Sequence, residues 1–294
     1  MSMESPLRAV AVCVGLPAFT VLGGLWAAWG RTRRHDPAPA EITTWRSVLV
    51  GGALLAALAL AWPLGLGLPQ VPAASASDWL PVAGLLGGVA ALAACLRGVP
   101  ARAVEWASIV AGMALIPVMF RRLLEGEGRT GVLLWCAGGI AAMLACRWAL
   151  RRAGEERGAL PGFLVWAALA CAAGTVLLTG NIAPAIMFGG LSAAAAPLMV
   201  VGLLRPAARF GPGLGAIAIP AATLWAYTGV LSDTPPVCNA LSAASVLLAG
   251  AGGVVVPARW KVWPRILTRT ALAAIPALIA LGVAITSQPP GTFE

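Results

Sequence analysis

Apolar residues fall into about ten long runs, and the gaps between the runs alternate in character. Every second gap is nearly uncharged: 66–79 holds Asp78, Gly180 and Asn181 hold no charge, and 232–239 holds Asp233. The intervening gaps are basic. They carry Arg31, Arg33, Arg34 and Arg46; then Arg97 and Arg102; then Arg147, Arg151, Arg152 and Arg157; then Arg205 and Arg209; then Arg259, Lys261, Arg265 and Arg269. A helix of about 20 apolar residues crosses a ~30 Å hydrocarbon core, and inside lipid the backbone must satisfy its own hydrogen bonds. The pattern predicts an all-α polytopic integral membrane helix bundle of about ten (9–10) transmembrane helices. The expected spans are about 8–29, 47–66, 80–96, 103–120, 131–149, 160–179, 182–204, 213–231, 238–257 and 266–286. The third and fourth are the shortest. A hairpin there that dips in without crossing would leave the orientation downstream unchanged.

Basic loops stay on the cytoplasmic side. The segment at Arg31–Arg34 is therefore expected inside and the N-terminus outside. Ten crossings then leave the C-terminus extracytoplasmic too. The N-terminal run reads as the first span, because its single Arg8 sits near Glu4 and its apolar stretch is long for the core of a leader. Tryptophans near span ends, such as Trp29, Trp45, Trp79, Trp148 and Trp260, fit rings seated at the headgroup level. Residues 1–294 read as a single transmembrane domain with no soluble domain, in the inner membrane of a bacterial cell.

Composition agrees: 60% of residues are hydrophobic and 11% charged, with mean hydropathy +0.87, against about 25% charged in soluble domains. A net charge of +9 invites a nucleic-acid partner. That partner is rejected, because sixteen of the twenty cationic residues lie in the basic gaps, where they orient helices and meet anionic lipid. The expected partners are the lipid bilayer and a membrane protein or a second copy. Small residues spaced by four, such as Gly84 with Gly88, Gly211 with Gly215 and Ala249 with Gly253, read first as close packing within the bundle. The WKVWPR segment at 260–265 reads as an interfacial anchor, or more sharply as a site for a partner or an anionic lipid.

Chemistry is sparse. The six cysteines form no C-x-x-C pair, and only Cys238, near the outer face, is placed for oxidation. His35 is the sole histidine, so neither a metal nor a cofactor is expected. Glu105 is the one acid within a span; three residues after Arg102, it suggests an interfacial pair on one helix face. No ionisable group is expected at a midplane, which argues against a proton-driven carrier. No catalytic motif appears, and a lipid-modifying enzyme using outer acids such as Asp78 or Asp233 is a third reading only. Thr223, Tyr227 and Asn239 are the candidate lining of a weakly polar cavity at depth.

One gap breaks the alternation. FRRLLEGEGRT at 120–130 belongs to the low-charge side yet sets Arg121, Arg122 and Arg129 against Glu125 and Glu127. The i, i+4 spacings Arg121–Glu125 and Glu125–Arg129 suit a continued helical turn, whereas Gly126 and Gly128 argue that the helix stops there. The segment reads as a polar turn or as an extracytoplasmic binding loop for an anionic headgroup or a partner protein. Two function classes follow: a permease for a neutral or amphipathic small molecule, and a non-catalytic membrane subunit or scaffold. A polar, solvent-reachable pocket at mid-depth around Thr223, Tyr227 and Asn239 would favour the first, and a solid bundle with an exposed stripe of small residues the second.

Overall fold

The computed structural model describes residues 11–29, 49–59, 75–96, 98–126, 129–206, 208–256 and 260–287. All regular elements among them are helical. Helix α1 starts with a π-helical turn at Ala11–Gly15 and continues through Leu16–Trp29, and α2 covers 49–59. A 3-10 turn at Ala76–Trp79 leads into α3 (Leu80–Cys95), followed by α4 (Val99–Met119) and a single turn at Arg121–Leu124. Then come α5 (Arg129–Glu155), α6 (Leu160–Leu178) and α7 (Ile182–Leu204). Helix α8 opens with a 3-10 stretch at Pro212–Ile217 and continues as Ala218–Leu231; α9 is Pro236–Val255 and α10 is Val262–Thr286.

Helices α3 to α10, with α3 and α8 each taken together with its leading 3-10 turn, are long and apolar enough to cross a membrane. Two shorter apolar helices, Val12–Ala27 and Leu49–Ala59, fall in the first two apolar runs. The protein is thus a helical membrane bundle. Helices α3 and α4 are full-length and pack on each other. Local chemistry sets several starts. Pro81, Pro100, Pro161 and the second proline of the Pro235-Pro236 pair sit in first turns, where a missing N–H costs nothing. Asp78 closes the turn before α3: its Oδ2 accepts from the Ser75 N–H at 2.8 Å.

Long-range contacts sort the connections into two ends. At one, Phe210 and Gly211 donate their N–H groups to the Gly154 carbonyl, both at 2.9 Å, and Gly158 donates to Ala208. Arg269 reaches Glu156 there, and Arg147 reaches Glu105. This basic end gathers the starts of α4, α6, α8 and α10 with the finishes of α5, α7 and α9. At the opposite, polar end, Thr179 after α6 shares a hydrogen bond with Thr234 before α9. Residues Phe120–Leu123 lie there beside Trp79 and Leu231. Among the described residues, the alternation of charged gaps is therefore an alternation in space.

Helix α8 is the axis: it packs on α3, α4, α5, α7 and α9, and 78% of its segment is inside the bundle, against 22% for α10. Close backbone approach holds the centre together. A methyl group on Gly162 of α6 would lie 2.8 Å from the Met199 backbone of α7, and one on Gly250 of α9 would lie 2.6 Å from Ala149 of α5. Gly253, of the Ala249/Gly253 pair, instead makes room for a carboxylate, described below.

Candidate functional site

Three places gather polar groups. The first lies toward the polar end of α6, α8 and α9. Thr179 and Thr234 share a hydrogen bond at 2.7 Å, the Asn181 amide donates to the Thr179 carbonyl at 3.1 Å, and Ser232 donates to Thr234 at 2.8 Å. Thr228 is within 3.0 Å of Asn239 Oδ1 and 2.9 Å of the Leu224 carbonyl. These groups tie two turns and two helix ends together. Deeper along α8, Thr223 is wholly buried and donates to the carbonyl of Ile219 in its own helix at 2.9 Å. Asn239 is buried, and Tyr227 is half-buried against the apolar core. None of these three lines any of the cavities described here. Two neutral donors in this region, Trp225 Nε1 and Asn239 Nδ2, are buried with no hydrogen-bond partner among the described residues.

The second place is a cavity of about 220 Å³ at the polar end, lined by Ser75, Trp79, Phe120, Arg121, Arg122 and Leu231 among others. The helix of FRRLLEGEGRT ends at Leu124, so the continued turn is absent. No ion pair joins Arg121 to Glu125 among the described residues, and all three exposed side chains Arg121, Arg122 and Glu125 face outward. Arg129 is the exposed first residue of α5, and Glu127 lies outside the described residues.

The third place is the basic end, and it departs most from expectation. Glu105, on α4, pairs with Arg147 and Arg151 of α5, the latter at 3.5 Å, and not with Arg102. The Arg147 guanidinium also sits 5.0 Å above the Trp106 ring, a cation–π contact. Helix α5 runs to Glu155, beyond the apolar stretch ending near 149, because Arg147 and Arg151 have an acid to meet on the neighbouring helix. Arg269 lies inside α10, is 2% exposed, and donates from Nη1 to Glu156 Oε2 at 2.7 Å. Arg147 and Arg269 are thus built into the bundle; orientation alone does not account for them. Glycines of α9 clear the space. A methyl on Gly253 would fall 1.7 Å from Glu156 Oε1, and one on Gly252 would fall 3.1 Å from Arg269 Nε.

Beside this pair opens a cavity of about 480 Å³, lined by Glu155, Glu156, Arg157, Arg209, Trp260, Arg265 and Arg269 with apolar neighbours. The volume lies within the roughly 300–1,000 Å³ of small-molecule sites. Arg269 Nε and Nη2 and Arg209 Nε are buried with no hydrogen-bond partner among the described residues. Sequence reading singled out WKVWPR but could not find this place. Its walls come from the α5–α6 connection, the residues before α8 and the start of α10. The one signal available was that Arg269 falls inside an apolar run.

Cys238 is fully buried and its thiol donates to the Ala280 carbonyl at 3.4 Å, so it is not placed for oxidation at the outer face. The reason is the start of α9 at Pro236, which turns Cys238 onto α10. No group of three metal-ligating side chains occurs among the described residues. Comparison with protein-family models, curated proteins and solved structures finds no match.

Proposed function

We propose that this chain is a non-catalytic membrane subunit or scaffold of the bacterial inner membrane, bound to a larger membrane assembly. One observation carries the reading: the central helices approach closely, and their buried hydroxyls bond within the bundle. Thr223 bonds to Ile219, Ser245 donates to the Ala273 carbonyl at 2.7 Å, and Ser192 donates to the Trp166 carbonyl at 3.1 Å. Such bonds fasten helices to one another and leave the hydroxyls little to offer a passing solute. Two arginines within the helices, Arg147 and Arg269, are likewise paired near the basic end. Helix α10, by contrast, presents Leu267, Ile275, Leu278 and Ile279 outward, an apolar face suited to lipid or to another membrane helix.

The test is purification of the tagged full-length chain from its native membrane in mild detergent. Single cysteines at Leu267 and Leu278 would be crosslinked before solubilisation. The expected result is a stoichiometric membrane-protein partner crosslinked through α10. A chain that crosslinks to nothing and purifies alone overturns the reading. A permease for a neutral or amphipathic small molecule is the second reading, favoured by the two buried neutral donors Trp225 Nε1 and Asn239 Nδ2. Solute flux in vesicles reconstituted with the pure chain, lost in Asn239→Leu, would select it.

A further inference from the structure

We propose that the cavity at the basic end is a phosphate-binding site, one that takes the phosphate of an anionic lipid headgroup or of a free phosphorylated solute. The proposal holds under either function above.

The charge arrangement comes first. Two acids stand at the cavity, and both are already engaged. Glu156 accepts from Arg269, while Glu155 faces Arg151 and Arg152 at 3.9 and 3.7 Å. Arg157, Arg209 and Arg265 line the same cavity, and none has a carboxylate within ion-pair distance among the described residues. With Arg269 the cavity carries four guanidinium groups against two carboxylates, a surplus of two positive charges. That surplus favours an anion such as phosphate, which carries about −1.5 to −2 as a monoester near neutral pH and a single negative charge as the diester of a lipid headgroup.

The hydrogen bonds point the same way. Arg269 spends one nitrogen on Glu156 and keeps Nε and Nη2 unpartnered, although its side chain is 3% exposed. Arg209 Nε is a further buried donor without a partner. Buried charged donors left unmade are costly, and a planar guanidinium fork matches the oxygens of phosphate in a bidentate fashion. A neutral solute would satisfy the donors and leave the charge surplus. A free or monoester phosphate offers at least three acceptor oxygens where a carboxylate offers two.

The site is also built to stay open. Gly252 and Gly253 let Arg269 and Glu156 lie flat against α9, so the pair holds its place beside the cavity. Trp260 forms part of the wall, at the position where an indole meets lipid headgroups.

The experiment uses the full-length protein, delipidated in a neutral detergent. Native mass spectrometry and calorimetry would follow dioctanoyl-phosphatidylglycerol, dioctanoyl-phosphatidylcholine and inorganic phosphate. Saturable binding of one phosphatidylglycerol, unaffected by inorganic phosphate and absent for phosphatidylcholine, assigns the site to a lipid headgroup. Saturable binding of inorganic phosphate, or displacement of lipid by it, assigns it to a free phosphorylated solute. In either case Arg209→Gln/Arg265→Gln should weaken binding about tenfold or more, since each charge-assisted contact has that scale. Arg121→Gln/Arg122→Gln at the opposite end should leave it unchanged. If the double variant does not unfold cooperatively, Arg265→Gln alone is read the same way. Failure of both probes to bind saturably overturns the proposal, as does equal weakening by the variants at the two ends.

Discussion

Removing the Glu156 carboxylate should destabilise the bundle far more than removing an ordinary surface acid. Its Oε2 is 2.7 Å from Arg269 Nη1, and the two side chains are 22% and 3% exposed. At that separation and an effective dielectric of ~20, the attraction is about 6 kcal/mol. Part of it is offset by desolvation, but Glu156→Ala loses the attraction while the desolvation of Arg269 remains. Breaking a buried pair from one side costs about 3–5 kcal/mol, and that is the expected loss. Glu156→Gln keeps an acceptor for Nη1 and should cost less, about 2 kcal/mol. The informative variant is Glu156→Ala/Arg269→Met, which removes both charges and fills the space with an apolar chain. It should recover to within about 1 kcal/mol of the parent. The assay is equilibrium unfolding in mixed micelles titrated with a denaturing detergent, followed by helical circular dichroism. A loss below about 1 kcal/mol for Glu156→Ala, the value of an exposed pair, would refute the reasoning. So would a double variant no more stable than the single one.

Other expectations are read in the same assay or by labelling. Gly253→Ala sets a methyl where the Glu156 carboxylate lies, so its cost should approach that of Glu156→Ala and the two should not add. Gly154→Ala places a methyl 2.0 Å from the Gly211 carbonyl and should cost several kcal/mol, whereas Gly131→Ala, with nothing within 4 Å, should be neutral or gain up to about 1 kcal/mol. Glu105→Ala strands Arg147 beside Trp106 and should cost about 3 kcal/mol or more, while Arg102→Ala should change little; equal effects would contradict the pairing across α4 and α5. Cys238, as the only cysteine left in the chain, should resist maleimide until the protein is unfolded.

The helices were legible because lipid makes backbone and hydropathy rules stringent. Ile182–Leu204 can be read from its apolar run between Asn181 and Arg205. The alternation of the basic gaps was legible for the same reason, since neighbouring helices joined by short turns must run in opposite directions. What failed was the use of arginine as an end marker. Arg147 and Arg269 lie within helices because Glu105 and Glu156 wait on other segments, 42 and 113 residues away. Local spacing favoured Arg102 for Glu105, three residues off, and a local pattern has no means of weighing a partner on the next helix. The basic cavity was invisible for a like reason: its arginines come from two connections and from the start of α10, and Arg157, Arg209 and Arg265 each look like an ordinary loop charge. Thr223 and Asn239 were found as polar residues at depth, but whether a hydroxyl lines a space or bonds its own helix depends on packing.

The bond between Arg269 and Glu156 also orders the making of the protein. Glu156 leaves the ribosome 113 residues ahead of its partner. At roughly 5–20 residues per second, that interval is about 6–23 s. Through that interval the growing chain carries the Glu156 carboxylate without the guanidinium that neutralises it. Helix α10 therefore arrives as a latch: its insertion neutralises the charge, and a chain stopped short of it keeps a defect that membrane quality control has a physical basis to detect.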